Sequence, residues 1–255
     1  MSERKSRKSK KDGAERANGT PQVDWDFVER CLGARGIRTV YFHGPPGLGK
    51  TYAAYNKGNL TSAPYAVTLT EETPSAELRG FWAPRGGELV WQDGPVVRAL
   101  REGARLVINE LACASPDVLA FLYPILESRE TARLTLPTGE TVEPAPGFAV
   151  ICTSNEPPEA LPEALRDRFD CTILIDAPHP EALRRLSPEL RQAALQTFDL
   201  DPDRALSLRA WIKVEELREE LGLRDACIAV FGAERGRHVH EALTMKQLEL
   251  HAEAS

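Results

Sequence analysis

The run Gly44-Pro45-Pro46-Gly47-Leu48-Gly49-Lys50-Thr51 has the residue types and spacing of a loop that grips phosphate. Glycines let main-chain N–H groups turn inward as an anion nest. A helix opening at Lys50 adds the partial positive charge of its N-terminus. Lys50 supplies a point charge for β- and γ-phosphates, and the Thr51 hydroxyl can ligate magnesium. The chemistry implied is the binding of a nucleoside triphosphate with its magnesium ion.

A second polar pair stands further along. The apolar run Leu106-Val107-Ile108 continues into Asn109-Glu110. Ligands of open α/β sheets bind at the carboxyl edge of such strands. Glu110 is placed there to orient and deprotonate an attacking water. Asn109 stands where nucleotide-hydrolysing sites of this kind usually carry an Asp for the magnesium shell. A carboxamide keeps the acceptor oxygen and loses the charge, so weaker metal binding is expected.

The elements that must position these groups follow from periodicity. Val40 to His43 reads as a buried strand leading into the glycine loop, with a helix from about Lys50 to Asn56. Tyr65 to Leu69, Leu106 to Ile108, Phe148 to Thr153 and Cys171 to Ile175 read as further strands. Thr73-Pro74 reads as a helix start, with Thr as N-cap and Pro at the first helical position. Helices are expected from about Gly94 to Glu102 and after Ser115-Pro116-Asp117, the latter with Val118, Leu119, Leu122, Ile125 and Leu126 at helical spacing. Two hairpins are expected, Phe81 to Trp91 turning at Gly86-Gly87, and about Leu134 to Val142 turning at Pro137-Thr138-Gly139. Strands alternating with helices imply a mostly parallel sheet covered on both faces. Beyond Pro178 the pattern is helical only, over about Pro180 to Thr197, Leu206 to Leu221 and around Ala226.

Composition narrows the class. The 255 residues are 42% hydrophobic and 27% charged, enough apolar mass for a core. The longest apolar runs, Val118 to Tyr123 and Ala226 to Phe231, fall far short of the ~20 residues of a bilayer span. The N-terminus is basic and polar without an apolar h-region, so a cytoplasmic location is expected. Met1 to Thr20 holds seven basic and three acidic residues, so the net charge of −6 splits into +4 for this tail and −10 for the rest. An acidic body argues against a broad duplex-binding face. The tail is expected to be a disordered basic arm, the one part suited to touching nucleic acid. The five cysteines are odd in number, widely spaced and free of any C-x-x-C, which reads as reduced core thiols.

Together these residues resemble an AAA+ ATPase, within it the MoxR-like and dynein-related group, close in pattern to the NorQ/CbbQ activases. The resemblance covers roughly Val40 to Leu221. It rests on the two motifs above and on Glu77-Leu78-Arg79-Gly80 with Trp91-Gln92-Asp93-Gly94-Pro95. It rests also on Thr153-Ser154-Asn155, on Ala164-Leu165-Arg166-Asp167-Arg168-Phe169 and on Leu206-Ser207-Leu208-Arg209. It implies a three-layer P-loop NTPase domain over 21–178, after the tail at 1–20, with a C-terminal helical lid over 179–255.

By the same resemblance Asn155 matches sensor 1, an amide that hydrogen-bonds the γ-phosphate or the attacking water. Arg168 matches the arginine finger that reaches a neighbouring subunit's γ-phosphate, with Arg166 a second candidate. Arg209 matches sensor 2. With Ser207 as N-cap, Arg209 falls in a first helical turn where a cation opposes the macrodipole, which suggests an anionic partner. The hairpins stand where members of this group project substrate-engaging hairpins toward a central pore. ATP and Mg2+ are the expected ligands, a hexameric ring the expected assembly, and a protein client the expected partner, including a separately encoded von Willebrand A-domain protein. Two rivals stay open. One is a nucleic-acid-linked GTPase like the McrB restriction subunit, whose Asn-Thr-Ala-Asp-Arg-Ser signature is absent from Asn155-Glu156-Pro157-Pro158-Glu159-Ala160. The other is a ring scaffold that binds nucleotide and barely hydrolyses it, for which Asn109 is the motive.

Overall fold

A computed structural model describes residues 23–200 and 206–253; the basic tail expected over 1–20 lies outside the described residues. In chain order the elements of the first part are α1 (Trp25–Gly33), β1 (Thr39–His43), α2 (Lys50–Asn56), β2 (Tyr65–Thr68), α3 (Ser75–Arg79), β3 (Gly80–Arg85), β4 (Glu88–Asp93), α4 (Pro95–Glu102) and β5 (Arg105–Asn109). There follow α5 (Pro116–Leu126), β6 (Leu134–Thr135), β7 (Thr141–Val142), β8 (Ala149–Thr153), α6 (Glu163–Arg166) and β9 (Cys171–Leu174).

Five strands form one sheet in the order β2-β5-β8-β1-β9, every pair parallel. Period-two alternation along each strand sends side chains to two separate cores. Tyr41, Leu106, Ile108, Val150 and Cys152 join the apolar faces of α3, α4 and α5 on one side. Val40, Phe42, Val107, Ile151 and Ile173 join α1 and α2 on the other. The three-layer α/β reading of the sequence therefore holds.

The helix ends show why the chain turns where it does. Ser115 accepts a hydrogen bond from the Val118 N–H, with Pro116 at the first position of α5. Asp24 caps α1 through the Asp26 N–H. The expected Thr73 cap does not form. The Thr73 hydroxyl instead accepts from the Thr70 N–H at 2.9 Å, so α3 begins at Ser75 with Pro74 at the cap and no side-chain bond. A hydroxyl taken by an upstream turn cannot cap the helix after it.

The two hairpins form as expected but differ in burial. β3 and β4 pair over six residues around Gly86-Gly87, both with positive φ. Their apolar side chains face solvent, with Leu89 67% and Phe81 53% exposed. In β6–β7 Leu134, Leu136 and Val142 are buried in the core instead. Arg101 of α4 joins the two, with Nε to Asp93 at the foot of β4 and its terminal nitrogens to both oxygens of Glu140.

The remainder is helical: α7 (Pro180–Arg184), α8 (Pro188–Leu200), α9 (Leu208–Phe231) and α10 (Ala233–Glu253). These helices bury a third core around Trp211, Leu190 and Val214, distinct from the two sheet cores. α9 is two helices in one run: the first ends at the expected Leu221, where Gly222 with φ 77 and ψ 157 breaks it, and the second, up to Phe231, is the helix expected around Ala226. Among the cysteines, Cys31, Cys152 and Cys227 are buried as expected, whereas Cys113 is exposed. Among the described residues no helix is long and apolar enough to cross a membrane.

Candidate functional site

The loop between β1 and α2 turns on Gly44, Gly47 and Gly49, with φ of 124, 78 and 105. Side chains are strained there. Space forbids them too, because a Cβ on Gly44 would lie 2.4 Å from the Ile175 carbonyl oxygen. Leu48 points away into the sheet core, so only its backbone is available to a ligand.

Lys50 opens α2 and is only 7% exposed. Its Nζ donates to the carbonyl oxygens of Gly44 (2.6 Å) and Pro45 (2.7 Å) and to Asn155 Oδ1 (3.0 Å). None of these partners carries a charge. Burial pushes the Lys50 ammonium down to about 8, and Glu110 opposes the shift.

Asn109 ends β5 and is buried. Its Oδ1 accepts from the hydroxyls of Thr51 (3.2 Å) and Thr153 (3.1 Å), while Nδ2 donates to the Val67 carbonyl (3.4 Å). Thr51 Oγ1 and Asn109 Oδ1 are hard oxygen donors beside the loop. Such a pair suits a magnesium ion that draws its other ligands from phosphate and water. Among the described residues no group of three or more His, Cys, Asp or Glu could hold a metal. Glu110 follows with φ 57 and ψ 46, the one non-glycine residue at positive φ among those described. Strain of this sort collects at working sites.

Pro46, Gly47, Gly49, Lys50, Thr51, Glu110, Thr153 and Asn155 line one wall of a cleft of about 1040 Å³; Asn109 is not part of that lining and meets it through Thr51 and Thr153. The facing wall comes from the helical part, with Ala182, Arg185, Ser207 to Ala210, Ile212 and Lys213. Ser207 caps α9 as the sequence indicates, accepting from the Ala210 N–H at 3.2 Å, and the exposed Arg209 lies in the first turn on the cleft wall. The walls meet at Gly47, where a Cβ would lie 2.6 Å from Ser207 Cβ. A second tie is His179, whose N–H donates to the Leu48 carbonyl at 2.9 Å and whose ring packs between Trp25 and Tyr52. Beyond it Lys57 and Tyr52 both donate to Glu181 and hold its carboxyl down at about 2.

The cleft lining does not include Arg166 or Arg168. Arg168 is engaged in its own chain. Nε and NH2 donate to Glu127 Oε1 at 2.8 and 2.5 Å, NH1 donates to the Ala164 carbonyl, and the guanidinium lies 4.9 Å from the Tyr123 ring centre. Arg166 Nε is buried without a hydrogen-bond partner. Thr153, Tyr52 and Glu127 were not among the sequence candidates. Thr153 carried a signal, since it stands two residues before Asn155 at the end of an apolar strand. Glu127 carried none, because 41 positions separate it from Arg168.

Comparison with known proteins bears on the whole arrangement. A family model described as the AAA domain of the dynein-related subfamily matches residues 39–169. The chain is 30% identical over 240 residues to the protein NorQ of Paracoccus denitrificans, covering 90% of this chain and 85% of that one. It is 37% identical over 142 residues to an uncharacterized protein of Staphylococcus epidermidis, covering 52% of this chain and 53% of the relative. A crystal structure of NtrX from Brucella abortus superposes with a TM-score of 0.52 at 17% identity, over 77% of this chain and 50% of that one. The chain thus spans about half the length of those last two. At 17% identity the NtrX likeness concerns the fold alone.

Proposed function

The chain belongs to the dynein-related AAA family and is an AAA+ ATPase of the MoxR and NorQ type, and from that premise we propose that it hydrolyses ATP in a ring to remodel or activate a partner protein. The observation that carries this reading is the convergence of Lys50, Thr51, Glu110 and Asn155 on one wall of a cleft whose other wall presents Arg209, with Asn109 bonded to Thr51 behind that wall.

In this reading the main-chain amides of the glycine loop and Lys50 hold the β- and γ-phosphates. Thr51 and Asn109 hold the magnesium ion, which when bound neutralises charge on the phosphates. Glu110 takes a proton from water as the water oxygen attacks the γ-phosphorus and ADP leaves. Asn155 orients that water. A guanidinium from the next subunit, Arg168 with Arg166 as second candidate, meets the charge that develops on the γ-phosphoryl group. Arg209 spans the cleft and couples phosphate loss to movement of the helical part. The β3–β4 hairpin, with Phe81, Trp82 and Leu89 exposed, offers the apolar surface for a client. The buried apolar face of β6–β7 leaves that hairpin a supporting part.

The test is a Glu110→Gln chain incubated with ATP or GTP. It should retain ATP, accumulate as a ring by mass, and capture a client that the further change Trp82→Ala with Arg85→Ala releases. Failure of the wild-type chain to split MgATP would overturn the reading.

A second, narrower reading is favoured by Asn109 itself. The neutral carboxamide is already shared between two hydroxyls. A site so built holds magnesium weakly and turns over slowly.

A further inference from the structure

We infer that Tyr41 is a positioning residue that couples the Asn155 loop to the arginine loop of the same chain; the inference rests on the roles proposed above for Asn155 and Arg168.

β1 lies between β8, which leads to Asn155, and β9, which follows the arginine loop. Along β1, Thr39 and Tyr41 share one face by the period of two. Thr39 Oγ1 donates to the Arg168 carbonyl at 2.8 Å and accepts from the Asp170 N–H at 2.9 Å. The Tyr41 ring packs on Phe169 with centres 5.3 Å apart. The Tyr41 hydroxyl donates to the Glu156 carbonyl at 2.8 Å. The Ser154 N–H donates to the Phe42 carbonyl at 2.9 Å, and the Ser154 hydroxyl accepts from the Glu156 N–H at 3.1 Å. Both neighbours of Asn155 are therefore fastened to β1, and Asn155 in turn receives the Lys50 ammonium. The Tyr41 side chain touches both loops, one by its ring and the other by its hydroxyl.

A space-filling role does not account for the hydroxyl. Tyr41 is fully buried, and a Phe would fill the same volume of core. The Glu156 carbonyl accepts that hydroxyl in a partly buried contact, a tie that a Phe would lack. Burial raises the phenol to about 12, so it remains a donor across the working range. The hydroxyl's distinctive effect is to fix the Asn155 loop relative to the ring that carries Phe169. Packed interiors pass displacement along such contacts because they do not deform continuously. A change at the γ-phosphate felt by Asn155 is thereby tied to the loop offered to the next subunit.

The test uses the full-length, assembled chain with Tyr41→Phe and, as a second variant acting on the ring contact, Phe169→Leu. Melting temperature, affinity for a non-hydrolysable ATP analogue, kcat, KM and the Hill coefficient for ATP are measured. Tyr41→Phe should leave the affinity and KM within about twofold and lower kcat by about threefold to thirtyfold, with a changed Hill coefficient. The double variant with Asn155→Ala should lose less than the product of the single losses. A lowered melting temperature with kcat and Hill coefficient unchanged in both variants would overturn the inference. If Asn155→Ala and Arg168→Ala each cut turnover in that same experiment, the proposed roles of those residues survive its loss. If those two variants turn over normally, the roles and the inference fall together.

Discussion

The phosphate loop and the arginine loop hold their cations in opposite ways. Lys50 is buried among two carbonyls and a carboxamide, with no carboxylate in hydrogen-bond contact, and its ammonium is pushed down to about 8. Arg168 is partly exposed, and its guanidinium is neutralised by Glu127 and laid over Tyr123. A buried cation without a counter-charge is unfavourable until an anion arrives, so the free energy of its burial is returned on binding. A paired cation must give up one carboxylate before it meets another anion. One loop is poised for a ligand in its own chain, while the other is stable without one.

The largest effect that could break this comparison comes from the arginine loop. Arg168→Ala should lower ATP turnover by about 10³-fold or more and leave nucleotide affinity unchanged, because a trans guanidinium acts on transition-state charge. The check is turnover against protein concentration beside binding of a fluorescent nucleotide. A matching loss of affinity would mean that Arg168 serves its own site.

The pH response of Lys50 sharpens the other side. The free chain gives up the Lys50 proton near pH 8, well below its ordinary value of 10.5. Phosphate binding needs the ammonium, so affinity should fall by up to about tenfold per pH unit above 8. The stability of the nucleotide-free chain should move the other way. Between about 8 and 10.5 the unfolded chain keeps the proton that the folded chain has lost, so unfolding becomes harder as pH rises. Titration calorimetry and melting curves from pH 7 to 9.5 would read both trends, and parallel trends would contradict the buried, unpaired state of Lys50.

The smallest effect is at the metal. Asn109→Asp should raise turnover by a few-fold and lower the magnesium needed for half-maximal rate, since a carboxylate adds charge where the carboxamide has none. A wild-type rate already saturated at low magnesium would remove that expectation.

The phosphate side of this comparison was legible in the sequence because its residues are close in the chain. Eight consecutive positions fix the loop, and the strand ends at Asn109 and Thr153 follow apolar runs. Ser207 was legible as a cap, and Gly86-Gly87 as a turn. The arginine side was not legible in the same way. The partners of Arg168 come from the end of α5, and no local pattern announces an ion pair across 41 positions. α1 is hard to read although Trp25, Val28, Cys31 and Leu32 keep helical spacing, because the stripe is short. α10 is hard to read because its described surface is mostly polar and its packing against α9 is what holds it. Thr73 misled because a hydroxyl beside a proline serves a turn as readily as a helix.

Gly47 and Ser207 bring the two cleft walls together. Two walls that approach until a single methyl group would collide act as a pivot whose clearance is set by bare backbone. Arg209 stands two residues along from that fulcrum, so its guanidinium moves on a short lever arm. A small tilt of α9 about that contact would therefore move the Arg209 charge little and the far end of the helix most.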